Sequence, residues 1–139
     1  MKNITKEMIK QYRIKKLGYD FMGYTFNRAE DLSFHHLIVP KRDCRDRGLG
    51  DGYLYWNGAI LNQETSHDYL HTIERVDRKL FLLITQEMIE QNEKGYLDLE
   101  NLRRIRKILL YFEDEHKNDR NKQGKLLIKR QYIDKRIKL

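Results

Sequence analysis

Cysteine and proline occur once each in this chain of 139 residues, as Cys44 and Pro40. A lone cysteine excludes an internal disulfide and the structural zinc sites that need several thiolates at short spacing. Long hydrophobic runs are missing as well. The greasiest stretches, such as Leu80 to Ile84, fall far short of the ~20 residues of a membrane-spanning helix, so no membrane partner is expected. The N-terminal stretch alternates charged and apolar residues. It lacks the apolar segment and cleavage site of a signal peptide, and a cytoplasmic protein is expected. There is no internal repeat, low-complexity tract or linker, and the length suits one domain over residues 1–139.

Charge and apolar residues are both plentiful. Hydrophobic residues are 40% of the chain and charged residues 35%, enough for one modest core. Lys and Arg number 28 against 21 Asp and Glu, a formal charge of +7. Such a balance favours a polyanionic partner, because each neutralised phosphate releases counterions.

The spacing predicts a helix over Thr5 to Leu17 stopped by Gly18. An extended piece follows at Ser33 to Val39, closed by Pro40, which cannot donate to a ladder. Lys41 to Gly52 reads as a loop from its glycines and mixed charge. Tyr53 to Leu61 reads as a second strand or hairpin arm, with a turn possible at Asn57-Gly58. Ser66 is a plausible N-cap for a helix from His67. Helical periodicity then continues, as one or two helices, to about Asn92. Lys94-Gly95 breaks it, and Asp98 caps a last helix whose Leu99, Leu102, Ile105, Ile108, Leu109 and Phe112 form one face. The tail from Lys117 to Leu139 carries nine Lys or Arg against two Asp. Helix, short β-pieces, then helices indicate a small α+β domain.

Four of the five histidines fall in two pairs. His67 and His71 are four apart on a predicted helix, so both rings project from one face within reach of one cation. His35 and His36 are adjacent on a predicted strand and should face opposite sides, unless the strand is irregular there. One strand ring and two helical rings make a three-ligand site with positions left open, as a catalytic metal needs. His116, at the end of the last helix, reads as solvated.

The order is His-His, a loop, an Asn on a second strand, then H-x-x-x-H on a helix. With Phe34 to Pro40 (FHHLIVP), Trp56 to Leu61 (WNGAIL) and Ser66 to His71 (SHDYLH), it resembles the HNH, ββα-metal or His-Me finger endonucleases, with the His-His start of colicin-type DNases. The resemblance covers about residues 33–74 and implies a ββα-metal core with flanking helices. It implies His35, His67 and His71 as ligands of one divalent metal (Zn, Mn, Ni or Mg) and His36 as general base. Asn57, ranked ahead of Asn62, would fix the loop between the strands and help orient His36. The implied activity is hydrolysis of phosphodiester bonds, with DNA as the expected partner. A catalytically inactive HNH-like module binding nucleic acid or protein is the alternative.

Lys41, Arg42, Arg45 and Arg47 stand where they could grip flanking phosphates, or simply form a solvated loop. Asp43, Asp46 and Asp51 could add metal ligands. Tyr53, Tyr55 and Trp56 suit base stacking or, in preference, strand packing. Cys44 has no nucleophile pattern around it and reads as incidental.

Overall fold

The computed structural model describes residues 3–118; the basic tail beyond Asn118 lies outside them. The architecture is α+β, with one two-stranded antiparallel sheet set among helices. Among the described residues no helix is long and apolar enough to cross a membrane.

The expected first helix is two: α1 (Asn3–Tyr12) and α2 (Ile14–Leu17). Tyr12 and Ile14 are both buried. Residues two apart lie on opposite sides of a continuous helix, so both cannot face one core. The chain resolves this at Arg13, which adopts the left-handed conformation at φ 55°. Gly18, also left-handed, ends α2 as expected.

The sheet pairs β1 (Leu32–His36) with β2 (Gly58–Asn62), placing His35 opposite Ala59 and His36 opposite Gly58. Both strands are shorter than their sequence suggests. Ile38 and Val39 leave the ladder because their N–H groups donate to the Asn57 side chain. Tyr55–Asn57 is a 3-10 turn rather than strand. Gly58 is not a turn residue either: it opens β2, and a Cβ there would sit 2.2 Å from the Phe34 ring. Lys41 to Gly52 is not simply a loop. It begins with a helical turn, α3 (Lys41–Cys44), and a 3-10 turn at Arg45–Arg47.

After β2 the chain enters a π-helical turn, Gln63–His67, which leads into α4 (Asp68–Val76). Asn62 caps it by accepting from the Glu64 N–H at 3.1 Å. The expected cap, Ser66, is instead buried inside the turn. Asp77 caps α5 (Arg78–Lys94), so the long periodic segment is two helices. Gly95 ends α5, and Asp98 caps α6 (Leu99–His116). His116 is not solvated: it is half-buried, 3.1 Å from the Asp77 carboxylate.

Apolar faces of α1, β2, α4, α5 and α6 meet in one core. Within it the fully buried Asp20 joins three segments. One carboxylate oxygen accepts from the N–H groups of Met22 and Tyr24, at 2.9 and 3.1 Å. The other accepts from the Asn62 N–H at 2.8 Å and from the Ser66 hydroxyl. Burial raises its carboxyl to about 6 while these four donors favour the anion. Asp20 thus holds the end of β2 and the turn that carries His67. Asp20→Asn places an amide against the Asn62 N–H and should cost about 2 kcal/mol. Urea unfolding at unchanged m-value measures the loss; a change below about 0.5 kcal/mol, the size of an ordinary surface effect, would remove Asp20 from this role.

Candidate functional site

Strand alternation holds at His35 and His36, and it divides them between two environments. His35 turns toward α4, with its ring centroid 5.1 Å from that of His67 and 5.4 Å from that of His71. His36 turns the other way, packing with Phe34 and Tyr53 at centroid distances of 5.1 Å. Because β1 ends at His36, both rings border the same cleft, a space of about 460 Å³.

His35, His67 and His71 each offer a ring nitrogen, and the three atoms lie within 4.8 Å of one another. Their tautomers follow from the surrounding bonds. The Ser33 hydroxyl donates to the Leu61 carbonyl at 3.1 Å, so it accepts from His67 Nδ1–H at 2.8 Å. His71 Nδ1 is 3.2 Å from the Glu74 carboxylate, which only accepts. Both helical rings therefore keep an Nε2 lone pair. His35 is 4% exposed. Its Nδ1 lies 3.3 Å from His67 Nε2, and its Nε2 has no partner. No tautomer of His35 satisfies both of its nitrogens among the described residues.

Burial favours the neutral form of two of these rings. Burial lowers the His35 imidazole well below its ordinary value, helped by the nearby His67, His71 and His36. Burial lowers His67 to about 4, with His71 and His36 acting in the same direction. Neutral imidazoles with converging lone pairs suit a divalent transition ion. Four ligands at the ~2.0–2.1 Å of a zinc–nitrogen bond stand about 3.4 Å apart in a tetrahedron, close to the separation of His35 Nδ1 and His67 Nε2. The donor set fits such a cation, with Ser33 and Glu74 fixing the rings from outside as metal-binding imidazoles require.

His36 is oriented by backbone. Its Nε2 is 2.8 Å from the Asp51 carbonyl, an acceptor only, so Nε2 carries the proton and Nδ1 the lone pair. Asn57, fully buried, stands behind that carbonyl. Its Oδ1 accepts from Ile38 and Val39 N–H, and its Nδ2 donates to the carbonyls of Val39 and Gly52 at 3.0 and 3.2 Å. It holds His36 through the loop, without touching it. Asn62 is a helix cap and a brace to the Thr25 carbonyl, and is not part of this arrangement.

The flanking groups separate. Lys41 and Arg42 line the cleft; Arg45 and Arg47 are exposed outside it, Arg45 lying 3.5 Å from Asp51. Asp43, Asp46 and Asp51 do not join the histidine cluster. Tyr53 and Tyr55 are packed, the latter stacked on Tyr12, while Trp56 is 46% exposed. Sequence reasoning missed Ser33, Glu74 and Arg78. Glu74 had a visible cue, three residues after His71 on one helix. Arg78, in the cleft wall, pairs with Glu74 at 3.6 Å. Ser33 is brought to His67 only by tertiary structure.

Cys44 is not incidental. It is fully buried, and its thiol packs under the loop against Gly52. Comparison of the chain with protein-family models, with curated proteins and with solved structures returns no match.

Gly52 has φ +74°, and a Cβ there would lie 2.2 Å from Cys44 Sγ and 3.1 Å from His36 Cδ2. Gly52→Ala should therefore cost at least about 2 kcal/mol, from strain and overlap together. Cys44→Gly in the same chain should recover the overlap part and leave the strain, a coupling that a double-mutant cycle measures. Additive losses would show that the two residues do not press on each other.

Proposed function

We propose that this chain is a metal-dependent endonuclease of the HNH, or His-Me finger, kind, acting on phosphodiester bonds of DNA. The observation that carries the reading is the convergence of His35, His67 and His71 within 4.8 Å, beside a fourth histidine that lines the same cleft. His35, His67 and His71 would hold one divalent ion. An all-nitrogen set favours zinc or nickel over magnesium, which prefers oxygen, with manganese between. Bound there, the ion supplies charge neutralisation for the phosphate and the departing oxygen.

The chain's own groups do the rest. His36 is the general base. With Nε2–H held by the Asp51 carbonyl, its bare Nδ1 takes a proton from the attacking water. The oxygen of that water bonds to phosphorus, the bond from phosphorus to the 3′-oxygen breaks, and the leaving oxygen takes a proton from solvent. The strand cut in this way carries a 5′-phosphate. Asn57 keeps the Asp51–Gly52 backbone in place and so positions His36. Lys41 and Arg42, on the cleft wall, meet flanking phosphates.

Plasmid nicking by the purified protein, metal by metal, tests this reading. His36→Ala should lower the nicking rate by about 10²–10⁴-fold while zinc binding, followed by calorimetry, stays at one ion per chain. A wild-type protein that binds DNA and metal but never nicks it would make this a binding module. Glu74→Gln removes the carboxylate behind His71 and should weaken zinc by about 10–100-fold without changing the stoichiometry. Equal affinity in the two proteins would mean that Glu74 does not orient a metal ligand.

A further inference from the structure

A second feature lies outside the histidine cleft. Lys6 and Lys10 of α1, Arg13 between the helices, and Lys15 and Lys16 of α2 line an open recess of about 490 Å³ with Ile9. None of these five cations makes an ion pair with an acidic side chain among the described residues, and the one carboxylate on the two helices, Glu7, pairs with none of them. Elsewhere cations are commonly paired, as in Arg28–Asp31, Lys94–Asp98 and Arg104–Glu87. Like charges gathered on one recess repel one another unless an anion fills it. Arg13 is the only described non-glycine residue at positive φ, and this break carries Lys15 and Lys16 onto the recess shared with Lys6 and Lys10.

Beside the cleft lies a smaller space of about 280 Å³, lined by Thr5, Ser33 and His67 among others. His67 borders both this space and the cleft, and Thr5 is followed in α1 by Lys6. The helix α1 thus contributes to the space beside the cleft through Thr5 and to the basic recess through Lys6 and Lys10.

We infer that the basic recess on α1 and α2 is a second contact for the nucleic-acid backbone, receiving phosphates of the same nucleic acid that engages the histidine cleft. This extends the DNA reading of the cleft, but it does not require that the cleft hold a metal or cut. Its contacts are to phosphate, so they add affinity and salt dependence without sequence preference.

The test is fluorescence anisotropy of a labelled DNA duplex of about 20 base pairs in EDTA, with the salt concentration varied. The triple variant Lys10→Gln, Arg13→Gln, Lys16→Gln changes only exposed side chains. It should bind at least tenfold more weakly near physiological salt, and the slope of log affinity against log salt should fall by about 2–3. An unchanged slope overturns the inference, as does a wild-type protein with no affinity for the duplex. Vesicles containing phosphatidylserine form the second arm. Loss of vesicle binding with duplex binding intact assigns the recess to an anionic membrane and likewise overturns it. Zinc calorimetry and nicking by the same variant read the cleft independently. If the wild type neither binds zinc nor nicks while the slope still falls in the variant, the catalytic reading fails and the recess stands.

Discussion

The amide of Asn57 is the constraint on which the rest of the cleft depends. Buried and bonded at both ends, it takes the two N–H groups that would have continued β1 and gives its own hydrogens to two loop carbonyls. Its backbone carbonyl accepts from Leu37 N–H at 2.8 Å. These bonds end β1 at His36, close the long connection between the strands, and leave the Asp51 carbonyl aimed at the His36 ring. A buried amide with such a network is costly to disturb, because each lost partner leaves a polar group unsatisfied away from water. Gly52 and Cys44 complete the arrangement sterically: only a residue without Cβ fits beneath the thiol, so loop and base are held by packing as well as by bonds.

The opposite end of the sheet is held by Asp20, and the two anchors divide the labour. Asp20 fixes where β2 stops and where the π-helical turn begins, and therefore where His67 sits relative to Ser33. Wide helical turns of this kind are frequent at functional sites. The turn and α4 together bring His67 and His71 to a centroid separation of 4.9 Å. The histidine cluster is then the meeting of a strand face with a helix face, each set by its own buried polar anchor. The price of that meeting is an unsatisfied nitrogen on His35 and two rings that resist protonation. Strain of this sort is tolerated where a site uses it. The metal-dependent reading rests instead on the other face of the ring, where His35 Nδ1 meets His67 Nε2 at a separation two ligands of one cation would have.

Much of this was legible beforehand where a local rule governs. The H-x-x-x-H spacing places two imidazoles on one helical face whatever surrounds it. The opposed facing of His35 and His36 follows from the period of a strand. Gly18, Gly95 and Asp98 end or cap helices through their own backbone or side chain. Legibility stopped where a residue answers to a distant partner. Ser66 has the chemistry of an N-cap but is taken by Asp20, 46 positions away. His116 looks solvated until Asp77, 39 positions earlier, meets it. Cys44 has no motif around it, and its role lies in the shape it leaves for Gly52.

The sequence alone determined the α+β class, the helical pair of imidazoles and the basic character of the chain, because periodicity, spacing and composition act over a few residues. Tertiary structure decided that His35 joins His67 and His71, that Asn57 rather than Asn62 closes the loop beside His36, and that the cations of α1 and α2 share one recess. Those outcomes depend on which segments pack together, and packing is settled by burial and by pairing of polar groups far apart in the chain.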